Sequence, residues 1–136
     1  MDTETVEEHG LKPLESELKA ISELDSKESL FRHLGYLQTI GVGGPIGFFV
    51  STDAKDSSRH LAGIVQSGTS LPDRDYYLED DEKYAKARAA LKDYIAKLFT
   101  LAEVSYTVAH AEMIVELETK LAKAQWTRTE LRDANK

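Results

Sequence analysis

Between Pro13 and Leu24 the apolar residues Leu14, Leu18, Ile21 and Leu24 recur every three or four positions, with Glu15, Glu17, Lys19 and Glu23 on the remaining face. That period predicts an amphipathic helix, and Pro13 suits its first turn, where an N–H is not needed. A second helix is predicted from Asp25, with Glu28 three residues on as its capping partner. Its stripe is Leu30, Leu34, Leu37 and Ile40, and Gly41 ends it. The run Gly41-Val42-Gly43-Gly44-Pro45 is the sharpest break in the chain, as clustered glycine and proline imply.

After the break the pattern changes. Ile46 to Thr52 is aromatic and β-branched and reads as a strand, Asp53 to Ser58 is polar and turn-like, and Leu61 to Gln66 reads as a second strand. The expectation is a hairpin with a long loop, covered by helices because an isolated hairpin is marginal in water. Thr69 to Leu78 is punctuated by Pro72 and contains Arg74-Asp75-Tyr76-Tyr77. A long helix is predicted from about Asp81 to Ala102, its acidic first turn suited to the positive end of the helix dipole. Tyr84, Ala87, Leu91, Tyr94, Ile95, Leu98 and Leu101 form its expected buried stripe. A last helix is expected from Ser105 to Ala124, with Val108, Ala111, Val115 and Ala122 along one edge and Ile114, Leu117 and Leu121 beside it. From Trp126 to Lys136 the chain is polar, with no capping glycine or closing element, as if it continued further. The fold class is therefore mainly α, a helical domain with one small β-hairpin. At 136 residues it is read as one segment, 1–136, too short for two comfortable domains.

Composition narrows the function more than the fold. The formal net charge is −7 and the pI about 5.1, which argues against nucleic acid as a partner, since phosphates demand a basic surface. The chain has no cysteine, so disulfides, thiolate metal sites and a cysteine nucleophile are excluded. No apolar run approaches the length of a membrane span. The first residues, Met1-Asp2-Thr3-Glu4, are acidic where a signal peptide would be basic, which implies an intracellular protein or an internal piece of a longer one.

Candidate chemistry is sparse. His9, His33, His60 and His110 include no pair at the i, i+4 spacing that puts two imidazoles on one helical face. His110 lies near Glu112 and Glu116, but side chains two apart on a helix diverge, so a solvated or hydrogen-bonded helix histidine is the favoured reading. Asp53, Lys55 and Asp56 suggest a cation loop only superficially, because the alternating ligands, central glycine and closing glutamate are missing. A solvated turn fits them better. Ser51, Ser57, Ser58, Ser67 and Ser70 have no nucleophile-elbow surroundings. Gly41, Gly43, Gly44 and Gly47 match neither phosphate-binding glycine pattern and read as a connector. The most distinctive cluster is Arg74 and Asp75 between Pro72 and Tyr76-Tyr77. It could contact a ligand, or an Arg74–Asp75 ion pair and the tyrosines could pin the loop to the following helix. The second is favoured, since tyrosine joins an apolar body to a polar tip. Trp126 reads in the same way as an anchor.

Three stretches carry a resemblance. The run from Phe49 through Ser51-Thr52-Asp53-Ala54-Lys55-Asp56-Ser57 resembles a strand followed by an Asp-x-Lys-Asp/Asn-Ser turn. The run from Gln66 to Leu78 contains Leu71-Pro72-Asp73-Arg74-Asp75-Tyr76-Tyr77, similar to a Leu-Pro-x-Arg-Asp-Tyr-Tyr signature. Glu116-Leu117-Glu118, Leu121-Ala122, Trp126-Thr127 and Arg132-Asp133 resemble a segment leading to an Arg-Asp motif. In order and spacing they are similar to the neprilysin and endothelin-converting-enzyme family of zinc metallopeptidases, closest to its cysteine-free bacterial members. The resemblance runs from about Gly10 onward and departs at Thr69, where leucine is usual.

The resemblance implies a parent far longer than this chain, with two largely helical lobes enclosing a cavity. It also implies zinc in the intact parent, on a later His-Glu-x-x-His helix. This sequence contains no such motif, so no catalytic or metal residue and no cofactor is assigned to it. Asp53, Lys55, Asp56, Leu71, Pro72, Arg74, Asp75, Tyr76, Tyr77, Glu118, Arg132 and Asp133 are carried over as family-pattern residues with a structural role. The implied partners are the remainder of the peptidase chain and, for the parent, peptide substrates. The implied location is periplasmic or secreted. Two functions follow: a segment of the cavity-enclosing lobe of a metalloendopeptidase, inactive alone, or a freestanding helical binding module. In the first, stripes meant for an absent lobe would favour self-association.

Overall fold

The computed structural model describes residues 3–105 and 108–132. The chain divides into two compact units, Met1–Val42 and Gly43–Lys136.

The first unit is helical. It contains α1 (Thr3–His9), a 3-10 turn (Lys12–Leu14), α2 (Glu15–Ser22) and α3 (Lys27–Thr39). Helix α1 has no apolar period to announce it; Glu4 in its first turn and His9 in its last both suit the helix dipole. Pro13 lies in the 3-10 turn, so the helix expected from Pro13 begins at Glu15. The start of α3 also differs from the Asp25–Glu28 cap expected. Ser26 is the N-cap, with extended backbone (φ −147°, ψ 162°), and its hydroxyl accepts the Ser29 N–H. The Ser29 hydroxyl in turn accepts the Ser26 N–H at 3.1 Å. Serine performs both halves of the box because its hydroxyl lies close enough to the backbone to do so. Gly41 closes the helix at φ +83°, and the Val42 N–H reaches back to the Leu37 carbonyl at 2.9 Å, as helix ends favour.

Tyr36 on α3 donates to Glu17 on α2 at 3.1 Å, and that carboxylate holds the tyrosine hydroxyl above its ordinary range. The predicted stripes are present, but no described residue of α1 to α3 is buried. Leu18, Ile21 and Leu30 each stay roughly half exposed.

The second unit opens with an antiparallel ribbon of β1 (Ile46–Asp53) and β2 (Asp56–Gln66). The expected long loop is a two-residue turn, since Asp53 pairs with Asp56 across Ala54 and Lys55. Carboxylates shape this tip. Asp53 accepts the Lys55 N–H at 2.8 Å, and Asp56 accepts the Ser58 N–H and hydroxyl at 3.1 and 2.6 Å, which lowers the Asp56 pKa. The register shift between Thr52 and Asp53 absorbs the extra residues of β2. Ser57 to His60 extend the strand despite their polarity because that end of the ribbon is exposed.

Helices α4 (Asp75–Leu78), α5 (Glu82–Leu101), α6 (Val108–Ala124) and α7 (Arg128–Leu131) complete the unit. Asp81 caps α5 by accepting the Lys83 N–H at 2.7 Å. The polar tail forms α7, started by a reciprocal Thr127–Glu130 capping box. Tyr77, Leu91, Ile95, Ala111, Val115 and Ala122 make the core, with Leu71, Tyr76, Leu78, Phe99 and Ile114 against it. The expected stripe of α5 was too wide: Leu91 and Ile95 are buried, while Tyr94, Leu98 and Leu101 face outward. On α6, Val108 is exposed but Ala111, Val115 and Ala122 are buried, and the two alanines let neighbouring backbone approach closely. Among the described residues the architecture is mainly α with one two-stranded hairpin.

Candidate functional site

The Ser70–Tyr77 loop lies between the ribbon and the helical core, and its distinctive residues converge on α6. Tyr77, on the single turn of α4, is buried. Its hydroxyl donates to Glu118 Oε2 at 2.5 Å and accepts the Leu71 N–H at 2.9 Å. Ser70 donates to Glu118 Oε1 at 2.6 Å. Glu118 is 8% exposed and occupies the core face of α6 between Val115 and Ala122. A buried carboxylate must be matched by donors, and here two hydroxyls supply one bond to each oxygen. Burial first, then the bond to Glu118, raises the Tyr77 hydroxyl far above the tyrosine range.

The flanking arginines bind backbone. Arg74 Nε donates to the Ala122 carbonyl at 3.3 Å, and Arg88 Nη1 donates to the Tyr76 carbonyl at 2.6 Å. The expected Arg74–Asp75 ion pair does not form. The ion pair of this loop joins Asp73 to Arg128 of α7, because adjacent side chains at a helix start point apart. Asp73 also accepts the Asp75 N–H at 2.8 Å, an Asx turn that leads into α4. Tyr76 packs its ring against Tyr84 with centroids 4.8 Å apart. Leu71 is partly buried and Pro72 exposed.

On the other side of the loop, Gln66 makes a reciprocal pair with the Trp126 backbone. It accepts the Trp126 N–H at 2.8 Å and donates to its carbonyl at 3.0 Å. Gln125 donates to the Ser67 carbonyl at 3.0 Å. Through its backbone, Trp126 therefore joins the end of α6 to the end of β2. Between these contacts lies a concavity of about 500 Å³, walled by Val65, Leu71, Asp73, Arg74, Trp126 and Arg128.

Sequence reasoning singled out Arg74, Asp75, Tyr76, Tyr77 and Glu118, and the fold brings Tyr77 to Glu118 and Arg74 to the same helix. Asp53, Lys55 and Asp56 are apart from them at the hairpin tip. Arg132 is exposed at the end of α7, and Asp133 lies outside the described residues. Ser70, Asp73, Gln66 and Arg128 were missed as contributors. The signal for Ser70 was available, since a glutamate on an otherwise apolar helix face needs donors from somewhere.

The cluster has no arrangement for nucleophilic chemistry. A carboxylate is far too weak a base to hold a serine alkoxide, and its second oxygen is committed to Tyr77. His110 is placed against Phe99, ring centroids 6.5 Å apart. Zinc takes three or four nitrogen, sulfur or oxygen ligands. Among the described residues no group of three or more His, Cys, Asp or Glu is placed to hold a metal ion, and no step is assigned to this chain on that metal. No described helix is long and apolar enough to cross a membrane.

The model of peptidase family M13 matches residues 1–136. The chain is similar to the zinc metalloprotease Zmp1 of Mycobacterium tuberculosis, solved in complex with an inhibitor: identity is 44% and the TM-score 0.86, covering 98% of this chain and 20% of that one. An endothelin-converting enzyme homolog of Locusta migratoria is 32% identical over 111 residues, 79% of this chain and 15% of its own length. Endothelin-converting enzyme-like 1 of Rattus norvegicus is 38% identical over 73 residues, 54% of this chain and 9% of its own length. The chain thus spans a fifth or less of these proteins.

Proposed function

The chain belongs to peptidase family M13, and we propose that it is a segment of the non-catalytic lobe of a zinc metalloendopeptidase. In this reading the lobe encloses the cleavage cavity and restricts substrate access, and the 136-residue chain alone hydrolyses nothing. The observation that carries it is the likeness to Zmp1 over 98% of this chain at a TM-score of 0.86, while only 20% of that chain is covered. The partner is the remainder of the peptidase chain, and the substrates of the whole enzyme are peptides. Zinc held by that remainder would supply an activated water. A periplasmic or secreted location belongs to the same proposal.

The family-pattern residues hold the lobe together rather than touch substrate. In support, Tyr77, Arg74 and Glu118 direct their hydrogen bonds to partners within this chain, and Asp53 and Asp56 direct theirs to the hairpin tip. Leu71 and Tyr76 pack against the core. Lys55, Pro72, Asp75, Arg132 and Asp133 are assigned with them on pattern.

The test is a chimaera in which this chain replaces the matching fifth of Zmp1. It should cleave short peptides at a rate near that of Zmp1 and discriminate against long ones as Zmp1 does, while the chain alone shows no cleavage. A folded chimaera without cleavage would favour a freestanding binding module. Metal-dependent cleavage by the chain alone would refute the assignment outright.

A further inference from the structure

The β1–β2 ribbon is apolar on both sides. One face presents Phe48, Val50 and Ile64, which are 66%, 72% and 71% exposed; the other presents Phe49, Leu61 and Val65, each nearly half exposed. From Ile46 to Thr52 strand β1 carries no charge, and among the described residues no third strand pairs with either edge. Large apolar surfaces of this kind mark interaction sites. Uncharged β-rich edges left open also invite pairing with other chains.

Area decides between occupants. Eight residues at a rise of roughly 3.3 Å, on two strands about 4.8 Å apart, give each face a footprint of about 250 Å². A stable interface uses roughly 800 Å² per partner. A second copy resting on one face would fall well short and would leave the other face bare. Even both faces together give only about 500 Å², so the occupant must also make contacts beyond the ribbon, which a much longer chain can do. An occupant that covers both must be a long chain passing around the ribbon. The proteins this chain resembles supply that length, because it spans only 20% of the Zmp1 chain and 15% of the Locusta migratoria relative.

We propose that the β1–β2 ribbon is the docking surface for the rest of the M13 peptidase chain, which encloses it on both faces. The inference rests on the assignment to a lobe of a longer peptidase and adds the surface by which that lobe is held. The polar tip around Asp53, Lys55 and Asp56, closed by its own hydrogen bonds, stays in solvent.

Cysteine labelling tests this cleanly because the chain contains none of its own. Val50→Cys reports one face, Leu61→Cys the other, and Lys86→Cys on the exposed side of α5 serves as control. Alkylation is followed by mass spectrometry of the labelled peptides, in the free chain and in the Zmp1 chimaera. Both ribbon positions should react at least tenfold more slowly in the chimaera, with the control unchanged. Free-chain rates at either position in the folded chimaera would overturn the proposal. So would a free chain that sediments as a dimer with Val50→Cys already protected, which would assign the face to a second copy. A chimaera that does not fold overturns both this proposal and the lobe assignment. Protection of both faces in a chimaera that cleaves no peptide would sink the catalytic reading and leave the docking surface standing.

Discussion

Replacing Tyr77 with phenylalanine removes one oxygen from the buried cluster and keeps the ring that fills the core. That oxygen donates to Glu118 at 2.5 Å and accepts the Leu71 N–H at 2.9 Å. Hydrogen bonds to charged groups contribute roughly 1.5–3 kcal/mol, and a buried N–H left without a partner costs roughly 1–3 kcal/mol. Glu118 keeps the Ser70 hydroxyl, so the two losses overlap and the expected destabilisation is about 2–4 kcal/mol. Domains of this size have roughly 5–15 kcal/mol in total, and the melting temperature should fall by roughly 10–20 °C.

The loss should also depend on pH. The folded Tyr77 pKa lies above its unfolded value, so folding retains a proton that the unfolded chain releases. That contribution is fully present below about pH 10 and is lost as pH rises beyond it, by up to about 1.4 kcal/mol per pH unit. Phenylalanine lacks the group, so the gap between wild type and Tyr77→Phe should narrow by about 1.4 kcal/mol between pH 9 and pH 11. Urea unfolding followed by far-ultraviolet circular dichroism measures both quantities. A gap under about 1 kcal/mol at neutral pH, or one that does not change up to pH 11, would refute the reasoning.

Two further substitutions test particular local structures. Gly68 has φ +86°, and an added Cβ would lie 2.5 Å from Pro45 Cα. Gly68→Ala should therefore cost about 2 kcal/mol or more in urea unfolding; at Gly63 the obstacle is the outer end of the half-exposed Phe49 ring, which has solvent to turn into, and Gly63→Ala should stay within about 1 kcal/mol of wild type. Equal losses at the two sites would count against the close approach of Gly68 to Pro45. Ser26→Ala should lower the helical signal of residues 27–39 and destabilise α3 by about 1 kcal/mol. Glu28→Ala, which loses only the exposed pair with Arg32, should cost about 0.3–0.5 kcal/mol, and amide exchange at Lys27 to Leu30 would show the reverse order if the Asp25–Glu28 cap were the true one.

Local pattern alone placed most of the elements. The periods of Leu30 to Leu37 and of Leu91 to Ile95, the glycine at 41 and the β-rich run from Ile46 each have a cause within a few residues, so helix and strand type could be read directly. Ser26 was missed because aspartate and serine both cap helices, and only the backbone turn chooses between neighbours. The two-residue hairpin tip was missed for a related reason: polar residues suit an exposed strand as well as a loop. The site divides in the same way. The Leu71-Pro72-x-Arg74-Asp75-Tyr76-Tyr77 pattern was visible, but its partners were not, since Ser70 and Tyr77 lie 48 and 41 positions from the glutamate they bind.

What the sequence determined by itself was the kind of chain this is: mainly helical, acidic, cysteine-free and bearing the signature of a peptidase family. What only the tertiary structure decided was which apolar residues are covered, and where the buried Glu118 carboxylate finds its donors. Burial belongs to surfaces that meet, and the period of a helix states only that one face seeks cover. Tyr94, Leu98 and Leu101 share the periodicity of Leu91 and Ile95, yet remain exposed because α6 covers a narrower strip of α5 than the apolar pattern spans.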